Sequence, residues 1–491
     1  MAKITAVIDI GSNSARMIVC QKSSRYAFHI IYEAKSRVRI SEGSYENSGV
    51  LQEKPIQRAI KALNDFSKIA KNLKSRKILC VATSAVRDAK NRNYFLNRVK
   101  KETGISIKVI DGEKEAYLGG VAALNLLPKF DEAVTIDIGG GSTELSKIEN
   151  GRIVDTVSLD VGTIRLKELF YDKKADFDEI ERFISAKFKD IPKKFSCKNF
   201  IAIGGTARAI SKMIMPSDYP LRTLHAYEYD FSKEKDLLEK IARCDISKLK
   251  RYNIKKHRID TFREGVNIFV RTLSFLKAKK VITSGVGVRE GLYLSDLLRG
   301  ANHKFPANFN PSVKSLSDRF LINEKYANAL KETSLKIFDV TKSIHQIDDS
   351  YKNELSIASK LLSIGSSISF YRQNEHSFYL IINALNYGFT HSQKLLIAFI
   401  VLYQDKKLPK ESELAEYLSL LPDLETVKWL SFILSLSKCL HRCLGENRYS
   451  FKFENNTLFV YSKREMEYLS AECIKELYKP FPIAIILKNR S

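Results

Sequence analysis

A six-residue motif that occurs twice constrains this chain more than any other feature. Asp9-Ile10-Gly11-Ser12-Asn13-Ser14 returns 128 positions later as Asp137-Ile138-Gly139-Gly140-Gly141-Ser142. Each time an apolar run ends in aspartate, a turn of small residues follows, and a second strand-like run leaves. A repeat of this length implies two related α/β units. Around the first copy, Ile4 to Ile10, Arg16 to Cys20 and Phe28 to Glu33 read as strands, and Pro55 introduces Ile56, Ile60, Leu63, Phe66, Ala70 and Leu73 at helical spacing. Lys77 to Ala82 and Ile105 to Ile110 read as further strands, and the latter ends at Asp111-Gly112 before a helix over Glu113 to Leu126. Around the second copy, Ala133 to Ile138, Leu145 to Glu149 and Arg152 to Leu159 repeat the strand plan, and Gly162 to Leu169 opens a helix. Strand-turn segments follow at Asn199 to Thr206 and Lys280 to Gly287.

The pattern changes after residue 301. Asn302 to Ser312, with two prolines and three asparagines, reads as a linker. Helical periodicity then dominates to about Asn447. Tyr449 to Phe453 and Thr457 to Tyr461 flank an Asn455-Asn456 turn, a helix pattern starts at Lys463, and Pro482 to Leu487 reads as a strand. The expected division is therefore 1–126 and 127–301 for the two α/β units, 313–447 for a mostly helical domain, and 448–491 for a small hairpin, helix and strand module.

Composition narrows the class. With 44% apolar and 28% charged residues, a disordered or low-complexity chain is excluded. The longest apolar stretch, Leu395 to Leu402, falls far short of the ~20 residues a membrane-spanning helix needs, and the start MAKITAVIDIG lacks a secretory pattern. A cytoplasmic protein without a membrane partner is expected. The seven cysteines are odd in number and scattered without a Cys-x-x-Cys pair, so reduced, buried thiols are expected. Cys439, His441 and Cys443 cluster, but on a helix the two sulfurs share a face while His441 points away, and two ligands on one turn do not make a metal site. The net charge of +25 is uneven, with about +4 in residues 305–491 and +21 upstream. Such a field attracts polyanions, among them nucleic acid, polyphosphate and charged nucleotides, without choosing between them.

The repeated turns point to phosphate. Small residues let backbone N–H groups approach a phosphate closely, and two facing turns hold one from both sides. Carboxylates stand beside both: Asp9 and Asp137 end the strands, Glu144 follows the second turn, and Glu113 and Glu115 open the helix after Asp111-Gly112. Arg87 follows a strand end at Ala82-Thr83-Ser84 and offers a fork of donors. Phosphoanhydride hydrolysis needs charge neutralisation and a base to orient water, and carboxylates serve both needs.

The signatures DIGSNSAR (9–16), ATSAVRDA (82–89), DGEKEA (111–116), IDIGGGSTEL (136–145) and IGGTARA (203–209) run in one order across most of residues 3–300. With them the chain resembles the exopolyphosphatase and guanosine pentaphosphate phosphohydrolase family, of the acetate and sugar kinase, Hsc70 and actin superfamily. The resemblance implies two ribonuclease-H-like (actin-like ATPase) domains around a cleft, with an HD-like helical domain behind them. It places the catalytic base on Glu115, with Lys114 where the family carries another acid. Arg87 matches the phosphate-contacting arginine. Residues Gly11, Ser12, Asn13, Ser14, Gly139, Gly140, Gly141 and Ser142 would line the phosphate, and Asp9, Asp137 and Glu144 would hold Mg²⁺. Arg258 resembles a position bordering the substrate channel, although KLKRYNIKKHR reads equally as a solvated basic face. The implied partners are polyphosphate or guanosine pentaphosphate and tetraphosphate, with no specific nucleic acid, and the implied assembly is a homodimer. In the helical domain Leu361-Leu362-Ser363-Ile364-Gly365 stands where an HD domain would carry its His-Asp pair, so the metal motif is degenerate. Two other functions remain open: an ATP-using kinase or ATPase with the same turns, and a nonenzymatic polyphosphate binder.

Overall fold

A computed structural model describes residues 3–252, 254–405, 407–444, 448–462 and 468–489. The chain divides into two units, Met1–Phe309 and Asn310–Ser491.

The first unit has two lobes built on the same plan. In lobe one, β1 (Ile4–Ile10), β2 (Ala15–Lys22) and β3 (Phe28–Ser36) form a meander, followed by α1 (Glu53–Asn72), β4 (Lys77–Ala82), α2 (Ser84–Arg87), α3 (Arg92–Thr103), the short β5 (Lys108–Val109) and α4 (Gly112–Leu126). Only Lys108–Val109 of the expected 105–110 strand pairs in the sheet. Lobe two contains β6 (Glu132–Ile138), β7 (Thr143–Glu149), β8 (Arg152–Leu159), α5 (Thr163–Leu166), α6 (Phe177–Lys187), β9 (Asn199–Ile203), α7 (Gly204–Ile214), β10 (Glu228–Asp230), α8 (Phe231–Arg243), α9 (Ile259–Phe275), β11 (Lys280–Thr283) and α10 (Val288–Leu297). The helix expected from Gly162 is α5, continued by one π-helical turn over Lys167–Tyr171.

The sheets run β3-β2-β1-β4-β5 and β8-β7-β6-β9-β11-β10. In each, the first three strands are antiparallel and the next pair joins in parallel, which is the ribonuclease-H-like arrangement; β10 is an added antiparallel edge. The central strands are covered on both faces, which is why they read as near-continuous apolar runs. Ala6, Val7 and Ile8 are fully buried, as are Val134 and Phe200. The stripe on α1 (Ile56, Ile60, Leu63, Phe66, Ala70) closes the first core, each large side chain contributing about 1.5–3 kcal/mol.

Two helices cross between the lobes. Although α4 follows lobe one in sequence, it packs on β7 and β8, where the Ser146 hydroxyl donates to the Ala116 carbonyl at 2.6 Å. In exchange α10, the last helix of lobe two, packs on β1 and α4. A boundary at 126/127 thus cuts the chain where the lobes interlock, because the packing face of a helix does not follow from its place in the sequence.

The second unit is mostly helical: α11 (Pro311–Arg319), α12 (Glu324–Val340), α13 (Lys342–His345), α14 (Lys352–Leu361), α15 (Gln373–Ala384), α16 (His391–Leu402), α17 (Glu411–Leu414) and α18 (Leu424–Leu440). It ends in β12 (Tyr449–Glu454), β13 (Thr457–Ser462), α19 (Tyr468–Lys475) and β14 (Ala484–Asn489), with β14 parallel to β13. Residues 463–467, where the last helix was expected to begin, lie outside the described residues. The expectation of reduced thiols fails at one pair: Cys439 and Cys473 form a disulfide, with Cα atoms 5.4 Å apart. Packing of α19 on α18 brings together cysteines 34 positions apart, which spacing alone does not reveal. His441 is buried, and its Nε2 lies 2.9 Å from the Thr333 hydroxyl.

Candidate active site

The repeat builds two equivalent hairpin ends. In lobe one Gly11 N–H donates to the Ser14 carbonyl at 3.2 Å, and in lobe two Gly139 N–H donates to the Ser142 carbonyl at 2.9 Å. Both turns face a cleft between the lobes, lined by Gly11, Ser12, Asn13, Ser14, Gly139 and Gly140. They touch each other, since a Cβ on Gly140 would stand 2.6 Å from Ser12 Cβ. Gly141 and Ser142 are not on the cleft wall. Gly141 backs onto the Tyr45 hydroxyl and Ser84, and Ser142 is 1% exposed.

The carboxylates converge on this cleft. Asp9 and Asp137 occupy the next-to-last pairs of β1 and β6, opposite Arg16 and Glu144 respectively. Glu115 comes from the first turn of α4, whose N-cap Asp111 accepts the Lys114 N–H at 2.6 Å. The positive end of that helix favours an anion there. Glu115 Oε2 lies 3.4 Å from Arg87 Nη1, both groups largely buried, and Arg87 also donates to Asp88 at 3.3 Å and to the Ile110 carbonyl at 3.4 Å. Glu144 accepts the Ser158 hydroxyl at 3.1 Å. Lys114 turns away, its ammonium stacked 4.5 Å over the Tyr117 ring, and does not line the cleft.

Burial dominates the electrostatics. It pushes the Asp9 carboxyl up to about 6 and raises Asp137 and Glu144. Glu115 is raised well above the ordinary carboxylate range by burial and then by the neighbouring charges of Glu144, Asp9 and Asp137, with Arg87 opposing. Cations line the same cleft and press each other the opposite way. Burial and Arg16 bring Arg208 down to about 10, burial and the same neighbour bring Lys35 to about 8, and Arg16 and Arg258 are lowered too. The Arg258 guanidinium packs against Gly205, with Nη1 2.6 Å from where a Cβ would sit, so this residue belongs to the cleft wall rather than to a solvated face. Arg289, from the first turn of α10, is held by Glu33 at 2.9 Å.

Reading the sequence missed Arg16, Lys35, Arg208 and Arg289. A signal was present for two of them. Arg16 is the register partner of Asp9, and Arg208 lies inside the IGGTARA segment one helical turn from Gly204. Lys35 and Arg289 carry no local mark. Gly204 itself is constrained twice: its φ is +89°, in the left-handed region, and a Cβ would collide with Asp137 Oδ1.

A divalent cation fits this donor set in a particular way. Among the described residues no three acidic, His or Cys side chains converge closely enough to form a protein-only cage. Mg²⁺ seldom asks for one, taking one or two carboxylates and completing its shell with water and phosphate oxygens. Asp9 Oδ1 is buried without a hydrogen-bond partner, and four carboxylates crowd one cleft with raised proton affinity. Both are relieved by a cation.

Two ribonuclease-H-like lobes facing each other across paired glycine turns define the actin-like class of α/β proteins. Within that class, residues 18–300 match the model of the Ppx/GppA phosphatase family and residues 310–466 match that of Ppx/GppA phosphatase domain III. The chain belongs to the Ppx/GppA phosphatase family, and its activity is that of a phosphohydrolase. The crystal structure of a family member from Aquifex aeolicus is similar at 28% identity with a TM-score of 0.53, covering 61% of this chain and 99% of that one. A second Aquifex aeolicus structure, of a PPX-GPPA enzyme, shows 27% identity and a TM-score of 0.51 over 60% of this chain and all of the other. An exopolyphosphatase from Cytophaga hutchinsonii shares the fold, with 22% identity and a TM-score of 0.55 over 62% of this chain and all of that one. Among the described residues no helix is long and apolar enough to cross a membrane.

Proposed function

We propose that this phosphohydrolase releases orthophosphate from the end of linear polyphosphate, of guanosine pentaphosphate, or of both, with Glu115 as the general base. The observation that carries the proposal is the position of Glu115: buried, on the first turn of α4, facing the paired turns, with Arg87 at 3.4 Å and a proton affinity raised above the ordinary carboxylate range by burial and three neighbouring carboxylates. A carboxylate with raised proton affinity is a stronger base toward water.

The terminal phosphoryl group sits between the Gly11–Ser14 and Gly139–Gly140 turns, whose N–H groups stabilise charge on its oxygens. Glu115 takes a proton from a water in line with the terminal phosphorus. The water oxygen bonds to phosphorus as the bond to the bridging oxygen breaks, and that oxygen leaves with its electron pair on the shortened chain. Arg16, Arg208 and Arg258 bind the anionic chain, and Arg87 steadies the Glu115 carboxylate. Mg²⁺, which one or two of Asp9, Asp137 and Glu144 would hold with water completing its shell, would supply neutralisation of the phosphate charge. A homodimer in the cytoplasm is part of the same proposal, and sedimentation of the full chain measures the assembly.

Phosphate release with Mg²⁺ is to be followed in parallel from long-chain polyphosphate and guanosine pentaphosphate, for the wild type and Glu115→Gln. The expected result is release from at least one substrate, reduced about 10²–10⁴-fold in the variant with substrate binding retained. Full activity in Glu115→Gln removes that residue from the role, and no release from either substrate removes both substrates.

A further inference from the structure

A second cationic cavity lies at the opposite end of the first sheet from the glycine turns. It occupies about 380 Å³ and is lined by the start of β1, the end of β2, the start of β4 and the last turns of α10. Backbone bonds fix the three strands there: Lys22 N–H donates to the Lys3 carbonyl at 3.1 Å and Arg76 N–H to the Ile4 carbonyl at 3.0 Å. Lys3, Lys22, Arg76 and Lys77 therefore share one rim, and Asp296 is the only acidic residue in the lining. Asp296 is already committed, to Lys77 at 2.5 Å and to Arg299 at 2.9 Å. Among the described residues Lys3, Lys22 and Arg76 have no carboxylate within ion-pair distance. The partly buried Lys22 ammonium is lowered by burial and by its neighbour Lys3.

Polar chemistry in the wall points the same way. Tyr293 lines the cavity, is 2% exposed, and its hydroxyl is buried with no hydrogen-bond partner. Its ring is clamped against Phe28 at 4.8 Å, so the hydroxyl stays in place without a bond of its own. An unmet hydroxyl donor costs roughly 1–3 kcal/mol, and four cations around the single carboxylate of Asp296 add repulsion to that. A group offering several anionic oxygens relieves both at once, as a phosphate does. The wall helix is shared with the cleft: Arg289 and Glu290 open α10 on the cleft side, and Tyr293 and Asp296 follow one and two turns later.

We propose that this cavity is a second binding site for a phosphate-bearing anion, orthophosphate or a segment of linear polyphosphate, held by Lys3, Lys22, Arg76 and the Tyr293 hydroxyl. It is separate from the catalytic cleft and does not depend on which substrate the cleft takes. The test is calorimetric titration of the full-length protein with tripolyphosphate and, separately, with orthophosphate, in a chelator so that nothing turns over and at about 150 mM salt to screen loose surface binding. Wild type shows two classes of site for at least one of these anions. Tripolyphosphate alone filling the second class identifies a chain, and equal binding of orthophosphate identifies a single phosphate group. In the Lys3→Ala/Lys22→Ala/Arg76→Ala variant the second class weakens about tenfold or more, while phosphate release in the cleft keeps its wild-type kcat/KM. Tyr293→Phe, which keeps the ring and removes only the hydroxyl, weakens the second class about three- to tenfold. A single class in wild type, two unaltered classes in the triple variant, or an unaltered second class in Tyr293→Phe overturns the proposal and leaves the assignment of the cleft untouched.

Discussion

Arg87 does not line the cleft itself but stands behind Glu115, and replacing it with methionine tests its control of that carboxylate against the expected contact with phosphate. The guanidinium lies 3.4 Å from the Glu115 carboxylate, both side chains being less than one-fifth exposed. At that distance, with an effective dielectric of about 20, the attraction is ~5 kcal/mol. Arg87 divides its charge between Glu115 and Asp88 and keeps some contact with solvent, so only part of this reaches Glu115. An opposite charge this close holds a carboxylate down by about one to three pH units. The sign follows from the base role. Glu115 must be ionised to accept a proton, so activity is lost as pH falls through its pKa. Burial and three carboxylates already raise that pKa, and Arg87 opposes them. Without Arg87 the acid limb of the kcat/KM profile moves toward alkaline pH by about one to three units. The assay is phosphate release against pH at saturating Mg²⁺, and the informative quantity is the position of the limb, since a lost phosphate contact lowers its height. A variant whose rate falls at every pH while the limb stays in place shows that Arg87 does not tune the base.

Two further outcomes follow from buried groups in lobe two. Burial raises the Glu264 carboxyl on α9 to about 7, and its Oε2 has no hydrogen-bond partner. The unfolded chain ionises this group near its ordinary value while the folded chain keeps the proton, so stability present at acid pH is lost as pH rises toward 7. Glu264→Gln removes that slope, and denaturant melts at pH 5 and pH 8 should differ less than in wild type by about 2.5 kcal/mol; an unchanged difference rejects burial as the cause. Gly204→Ala forces a Cβ onto Asp137 Oδ1 at a left-handed backbone position. Calorimetry should show a loss of about 1–2 kcal/mol, whereas kcat/KM should fall about a hundredfold because the Asp137 carboxylate is displaced. Equal kinetics in the two proteins would separate Asp137 from the reaction.

The repeat was legible because it is written in backbone chemistry. Strand, aspartate, small-residue turn and strand recur together, and the structure gives both copies the same hydrogen bond across the turn and the same sheet order. Other features were hidden for physical reasons. The exchange of α4 and α10 between lobes depends on which sheet each helix packs against, and nothing in the sequence of either helix names that sheet. The Cys439–Cys473 disulfide depends on two helices meeting across an intervening hairpin. Lys35 and Arg289 reach the cleft from a strand end and a helix start whose neighbours are unremarkable in sequence, so a count of +25 registered their charge without their location.

The register of the repeat carries one step more. Positions 16 and 144 are equivalent, each opposite the aspartate one residue before the end of its central strand, yet one is arginine and the other glutamate. Identical backbone devices are thereby given opposite charge. On the lobe-two side Asp137 and Glu144 gather with Glu115, because α4 crosses over to pack on β7 and β8. Arg16 faces Arg208 and Arg289, whose fields press on it alongside burial. Arg16 is paired with Asp9 in lobe one, and Arg208 of lobe two lies close enough to Asp137 to feel its charge, so each lobe brings both carboxylates and guanidinium groups to the cleft. The turn is duplicated but the charge beside it is not: Arg16 stands opposite Asp9 in one lobe and Glu144 opposite Asp137 in the other, so the two halves of the cleft are not equivalent.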